Sequence, residues 1–286
     1  MGEPMVRRLL AAGFPVRVWN RTPGKAEVLE SAGALAALTL ADAMSDAQVV
    51  ISMLSAGPAV GNVIDACLPS MARSTLWIDM SSTRQDEAQE FHARLSAPGC
   101  RFLDAPVSGG VGGAEQGTLA IMAGGDARDF AEARPVLEAM GRPTLVGPAG
   151  AGQVAKLCNQ LIVGGTINIV AEALLLALAA GADPEAVRAA IRGGFAESRI
   201  LEVHGQRMLD RNFLPGGQVT TQLKDQHNIL AAAAAAGVAL PVTSLVTERY
   251  ESIRDLYPQA DHSAALLALE RLNPGQRVGA EPDKLP

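Results

Sequence analysis

The sequence predicts an α/β domain followed by an all-helical one, and three observations carry that expectation. Six apolar runs of strand length, at 16–19, 49–54, 76–80, 102–104, 119–123 and 144–146, are separated by stretches long enough for helices. Several, VVISML above all, are apolar without alternation, which suits parallel strands buried beneath helices on both faces. After about Gly150 such runs cease and long Ala/Leu-rich segments begin, the first over 152–180. The 286 residues fit about two domains at roughly 150 residues each. We place the sheet domain at 1–150 and the helical one at 151–286.

Between the strands, helices are expected over 3–12, 24–31, 58–68, 84–95 and 127–140, with Thr83 and Asp86 resembling an N-capping pair for the fourth. The segment 153–178 is too apolar all round for a helix lying in water, so it is expected as a long buried helix leading out of the sheet domain. Asp183 before Pro184 marks another start, because the carboxylate caps free N–H groups and proline loses no intrahelical bond at the first position. The alanine run 231–236 reads as close helix packing.

Composition removes several function classes. The 24 Lys and Arg against 30 Asp and Glu leave a net charge of -6, so no broad positive face for nucleic acid is expected, although a local basic pocket is allowed. Cys67, Cys100 and Cys158 are odd in number and widely spaced, and with only four His they indicate neither a disulfide framework nor a metal site. A reducing, cytoplasmic setting fits them. Arg7 and Arg8 are not followed by a leader-like apolar core, and the most apolar stretch, 161–181, contains Asn168 and Glu172, so no membrane association is expected.

The beginning is unusual for a doubly wound, Rossmann-like dinucleotide domain, which opens with a strand and a glycine-rich turn whose helix offers N–H groups to a pyrophosphate. Here Met1 and Gly2 lead directly into a helix. Gly2 fits the last glycine of such a turn and 16–19 the second strand, so the first strand and the preceding glycines are missing, as expected of a sequence that starts too late through either truncation or a misplaced start. At the end of that second strand stands VWNRTPGK. An acidic residue there receives ribose hydroxyls, whereas arginine beside a hydroxyl holds a 2′-phosphate. Asn20, Arg21, Thr22 and Lys25 therefore point to NADP(H) over NAD(H), unless Arg21 is an ordinary exposed turn residue.

Three later constellations carry chemistry. DAPVSGGVGGAEQGTL, 104–119, puts Ser108, Gly109 and Gly110 after a strand, where a hydroxyl and backbone amides converge on a carboxylate or the glycines merely serve a turn. GAGQVAKLCNQ, 150–160, sets Lys156 and Gln160 four residues apart on one helical face. An ammonium in apolar surroundings suits proton transfer and the amide orients a substrate oxygen; the competing reading is a lysine snorkelling to water. Lys224 and Asp225 in QLKDQHN are either a surface charge pair or a second cation at the site.

Taken together, MGEPM at 1–5, DMSST at 79–83, DAPVSGG at 104–110, GQVAKLCNQ at 152–160 and LKD at 223–225 resemble the beta-hydroxyacid dehydrogenase family, in the family's order and along nearly the whole chain. The resemblance implies a Rossmann domain followed by an all-helical, 6-phosphogluconate-dehydrogenase-like domain, commonly in homodimers or homotetramers. It implies Lys156 as the catalytic lysine and Ser108, Gly109, Gly110, Gln160 and Lys224 around a small carboxylate-bearing aldehyde or hydroxyacid. Many relatives use asparagine where Gln160 stands. Gly2, Met5, Met53, Leu54, Ser55, Thr83, Lys224 and Asp225 fall at positions that run beside the nicotinamide cofactor, together with the 20–25 turn; no metal is implied. Within the family, 191–205, 208–216 and 260–267 are similar to one semialdehyde-reducing branch. A nucleotide-sensing or scaffold role is the alternative outside enzymology.

Overall fold

A computed structural model describes all residues, 1–286. They form two compact units, Met1–Lys156 and Leu157–Pro286. The first alternates strands and helices and the second is all but entirely helical.

The first unit runs α1 (Gly2–Ala11), β1 (Arg17–Val18), α2 (Gly24–Glu27), β2 (Leu35–Ala36), α3 (Leu40–Met44), β3 (Val49–Ser52), α4 (Gly57–Cys67), β4 (Leu76–Asp79), α5 (Gln85–Ser96), β5 (Arg101–Asp104), β6 (Val107–Ser108), α6 (Gly110–Gln116), β7 (Leu119–Gly125), α7 (Ala127–Glu138) and β8 (Gly141–Gly147). All six expected strands are present. The short pieces β2, β6, α3 and α6 were not expected, being too brief for periodicity to register. The predicted helix over 24–31 is instead α2 followed by a 3-10 turn at Glu30–Ala32.

Two sheets form rather than one. β1 pairs only with β2, while β3, β4 and β5 run parallel and lead into β7, which is antiparallel to β5 and β6 and parallel to β8. β4 is buried at every residue, which explains the apolar run Leu76-Trp77-Ile78 ahead of Asp79. Met5 and Leu9 of α1 pack with Leu76, Ile78, Leu103, Leu119 and Ile121 on one face, and Val60, Ile64, Phe91 and Phe102 join Trp77 on the other. Each half of the layer thus removes apolar surface from water at about 25 cal/mol per Å².

The expected capping pair Thr83 and Asp86 is not what starts α5. Arg84 is the N-cap residue, its backbone N–H donates to Glu87 at 2.8 Å, and Asp86 pairs with the Arg84 guanidinium. The Thr83 N–H is drawn elsewhere, as described below.

α8 (Ala151–Ala179) begins in the first unit and continues into the second, which adds α9 (Pro184–Ile191), α10 (Arg199–Leu209), α11 (Val219–Ala235), α12 (Pro241–Arg254) and α13 (Ala265–Leu272). Asp183 caps α9 as its sequence indicates, accepting from Glu185 N at 3.0 Å with Pro184 in the first turn. Ile167, Val170, Ala171, Leu174, Met208, Phe213, Leu223, Tyr250 and Leu266 form the core of this unit. α8 is not buried all round: Ile162, Ile169 and Leu176, seven residues apart, are exposed to about 60–69%.

Candidate active site

The site grows from the carboxyl ends of β3, β4 and β5, the edge at which open α/β sheets receive ligands. β5 and β6 keep one register against β7, with Asp104 opposite Gly124 and Ser108 opposite Ala120. The chain therefore continues straight through Ala105 and Pro106, whose carbonyl still accepts from Met122 N at 3.0 Å. At about 3.3 Å per residue this carries Ser108 roughly 13 Å beyond Asp104, the residue level with the end of β4. Gly109 at φ 136° and Gly110 at φ 64° then turn the backbone into α6, conformations that L side chains resist. Ser108 is half-buried and both glycines are exposed.

The start of α8 is fastened to the same edge. Asp104, fully buried, accepts from Gly150 N at 2.7 Å through Oδ1 and from Gln153 N at 2.8 Å through Oδ2. A strand-borne carboxylate thus caps the helix, satisfying two of its free N–H groups at the positive end of its dipole. Burial still pushes the Asp104 carboxyl up, to about 7, against the pull of those two N–H groups. Gln153 completes the attachment, accepting from Thr83 N at 3.0 Å and donating to Ser81 O at 2.9 Å. A Cβ on Gly152 would meet the carbonyls of Met122 and Asp104, and one on Gly124 would lie 2.6 Å from Asp104 Oδ1, so only glycine allows this approach.

Lys156 stands one helical turn beyond Gln153 and Gln160 one turn beyond that, all three on one side of α8. Lys156 is half-buried. In the second unit, Gln160 Nε2 donates to Asp225 Oδ2 at 2.7 Å, and Gln160 Oε1 accepts from Asn159 Nδ2 at 2.9 Å. Asp225 Oδ1 meets Lys224 Nζ at 3.2 Å. Lys224 and Asp225 therefore form a pair, as one reading of the sequence held, but the aspartate is buried rather than on the surface. Gln222 and Gln226 both reach Gln160 O at 3.4 Å, made possible by the missing side chain of Gly164.

Apart from Lys224 and Asp225, the positions expected beside the cofactor fall in the first unit. Ser81 Oγ accepts from Leu54 N at 2.9 Å and so holds the 53–55 turn; Ser55 is exposed. The Thr83 side-chain oxygen is buried without a hydrogen-bond partner. Asn20 Oδ1 accepts from Thr22 N at 2.9 Å, an Asx turn that leaves Arg21 exposed and outside any salt bridge, with Lys25 also exposed. Gly2 begins α1, half-buried, whereas Met5 turns into the core. An unanswered hydroxyl at the strand ends and an uncommitted guanidinium after β1 fit a phosphate-bearing dinucleotide.

Sequence reasoning overlooked Asp104, Gln153 and Asn159, although all three lie inside the quoted motifs. It also overlooked Asp79, where Oδ1 accepts from Ser52 Oγ at 2.7 Å while Oδ2 is buried with no partner, and burial pushes the carboxyl up to about 6. His204, Asp261 and His262 gather possible ligand atoms within 4.8 Å of one another. The Asp261 carboxylate already accepts from the N–H groups of Gly216, Gly217 and Ser263 and faces Arg207 at 3.3 Å, so it acts as a clamp on this loop. Burial works against the anion, but the His204 side chain, the neighbouring His262 and the Ser263 donors hold the Asp261 carboxyl far below the usual range.

Comparison with known proteins agrees with this geometry. Residues 1–150 match the family model described as the NAD binding domain of 6-phosphogluconate dehydrogenase, and 150–269 that described as the NAD-binding of NADP-dependent 3-hydroxyisobutyrate dehydrogenase. The chain is 40% identical over 275 residues to 2-hydroxy-3-oxopropionate reductase of Escherichia coli K12, covering 94% of each chain. It is 37% identical to 3-hydroxyisobutyrate dehydrogenase of Pseudomonas aeruginosa, covering 91% of this chain and 90% of the relative. The solved structure of Mycobacterium tuberculosis 3-hydroxyisobutyrate dehydrogenase with L-serine superposes with a TM-score of 0.86 at 32% identity, over 94% of this chain and 95% of that one. With a nucleotide-binding sheet, a lysine-bearing helix fastened to its carboxyl edge and these relatives along its length, the chain belongs to the beta-hydroxyacid dehydrogenase family of NAD(P)-dependent oxidoreductases.

Proposed function

We propose that the protein reduces tartronate semialdehyde (2-hydroxy-3-oxopropanoate) to glycerate, with NADP(H) preferred over NAD(H). The observation that carries this reading is the fastening of α8 by Asp104 and Gln153, which fixes Lys156 one turn beyond the strand ends. The 40% identical relative that reduces 2-hydroxy-3-oxopropionate supports the substrate, as do the segments 191–205, 208–216 and 260–267. Exposed Arg21 beside Thr22 supports the 2′-phosphate.

In this mechanism Ser108 Oγ and the amides of Gly109 and Gly110 hold the substrate carboxylate, and the Gln160 amide orients the carbonyl oxygen. Bound nicotinamide supplies the hydride to the carbonyl carbon. Lys156 Nζ gives its proton to the oxygen that thereby gains the electron pair, and its charge stabilises the developing alkoxide. In reverse the neutral amine takes the hydroxyl proton. No step calls for a metal, nucleic acid or membrane, and the three unpaired thiols suit a cytoplasmic setting.

A second reading is oxidation of 3-hydroxyisobutyrate, favoured by the 37% identical dehydrogenase; reduction of glyoxylate or succinic semialdehyde needs the same groups. The test is NADPH and NADH oxidation with tartronate, succinic and methylmalonate semialdehydes and glyoxylate under identical conditions, with Lys156→Ala as the control. Fastest turnover with tartronate semialdehyde and NADPH is expected, falling by about 10²–10⁴-fold in Lys156→Ala with NADPH affinity retained. Preference for another semialdehyde rejects the substrate; unchanged turnover in the variant rejects the lysine. No turnover with any pair returns the sensor or scaffold reading.

A further inference from the structure

We propose that Asp225 is a positioning residue: it fixes which end of the Gln160 amide is turned toward the substrate oxygen. The inference rests on the proposed reduction and deepens it.

An amide side chain has two faces of opposite character, an N–H edge that donates and a carbonyl that accepts, and a flip exchanges them with little change of shape. The partners of Gln160 allow one orientation. A carboxylate has only acceptors, so Asp225 at 2.7 Å takes the nitrogen of Gln160 on its side. At the other end, Asn159 Nδ2 donates to Gln160 Oε1 at 2.9 Å, which agrees with that orientation without imposing it, since the Asn159 amide can itself turn. A flipped amide would set oxygen against the Asp225 carboxylate, which has no N–H to offer. Asp225 is itself immobilised: it is 4% exposed, and its other oxygen meets Lys224 Nζ at 3.2 Å. Gln222 and Gln226 hold the backbone carbonyl of the same residue from α11, tying the α8 turn that carries the amide to the helix that carries the carboxylate.

This ordering matters because a substrate carbonyl oxygen, and still more the alkoxide it becomes, accepts hydrogen bonds and is repelled by another acceptor. Asp225 therefore governs catalysis through Gln160 without touching the substrate. It also gives a different role to the carboxylate that the family resemblance places beside the cofactor, and the two roles predict different measurements.

The discriminating variant is Asp225→Asn, which keeps the shape but offers an N–H as readily as a carbonyl and so removes the constraint on the flip. Its melting temperature by circular dichroism establishes that the fold is retained. Side-chain amide ¹⁵N–¹H spectra report the orientation with no substrate present. The Gln160 proton bonded to a carboxylate is expected downfield in the parent, identified by its loss in Gln160→Leu, and moves toward ordinary amide positions in Asp225→Asn. In turnover, kcat for semialdehyde reduction is expected to fall roughly tenfold, the scale of one charge-assisted hydrogen bond, while the NADPH dissociation constant, read by fluorescence titration, stays within about twofold. An unmoved Gln160 resonance, or unchanged kcat with NADPH affinity weakened, overturns the proposal and returns Asp225 to the cofactor site. If the parent turns over no semialdehyde, the proposed reaction fails on its own, and the amide spectra still decide the orientation.

Discussion

At the scale of single residues, the buried carboxylates of Asp79 and Asp104, level with each other at the ends of β4 and β5, make the first unit sensitive to pH. The Ser52 hydroxyl and the Ser81 N–H serve one Asp79 oxygen and nothing serves the other, and burial outweighs them, so the neutral acid suits this environment better than the anion. The folded carboxyl lies at about 6, above its unfolded value near 3.8. The native state therefore binds the proton more tightly than the unfolded chain, and the stabilisation is complete below about pH 4 and is lost as pH rises through 6. Asn at this position mimics the protonated acid at every pH. Asp79→Asn is expected to flatten the pH dependence: in urea melts at pH 5 and pH 8, the parent loses more midpoint between the two than the variant does. Equal losses would mean that Asp79 does not titrate in this range. DMSST marks this aspartate as part of a motif, but only the fold shows that half of it faces no donor.

At the scale of elements, the decisive contact is the approach of the α8 N-terminus to β5 and β7, with Gly124 and Gly152 as its thinnest points. A methyl on Gly152 meets two strand carbonyls, and neither can retreat without breaking the sheet. Gly152→Ala is expected to cost about 1–3 kcal/mol, the usual range for overpacking, read as a lower urea midpoint, with turnover reduced further because Lys156 moves with the helix. A variant with parent stability and parent turnover would show that the approach has slack. Much of this architecture is legible in the sequence where length or burial amplifies a signal. The apolar run in β4 and the uninterrupted stretch of α8 announced themselves, and Asp183-Pro184 marked the start of α9. β6 was hidden because Pro106 and the glycines after Ser108 resemble a loop, while its strand character comes from pairing with β7, which is remote in sequence. The cap on α8 was hidden for the same reason: Asp104 lies 46 residues from Gly150, beyond the reach of any local capping pattern. Lys156, Gln160 and Ser108 were legible as types at spacings, but the partner that orients Gln160 lies 65 residues away on α11.

At the scale of the whole molecule, the exposed side of α8 bears on assembly. The sequence argues for burial all along this helix, yet Ile162, Ile169 and Leu176 lie open at a seven-residue repeat, the spacing of a seam between packed helices. Three large aliphatic side chains aligned on one helix are costly to leave in water, at about 25 cal/mol for each Å² of apolar surface. A second copy of the chain offers the same stripe, and a two-fold pairing sets it against itself. The stripe is where the homodimer or homotetramer that the family resemblance implies would be sought. Ile169 occupies the middle of the stripe, so a charge there would be desolvated in every copy at once while leaving the monomer core, which lies on the opposite residues Ile167, Val170 and Leu174, untouched. Ile169→Glu is expected to shift the mass in light scattering behind size exclusion from a dimer or tetramer toward the 29.6 kDa of one chain, with the circular dichroism spectrum unchanged. A parent that already elutes as one chain, or a variant that assembles as the parent does, would assign the stripe no part in assembly.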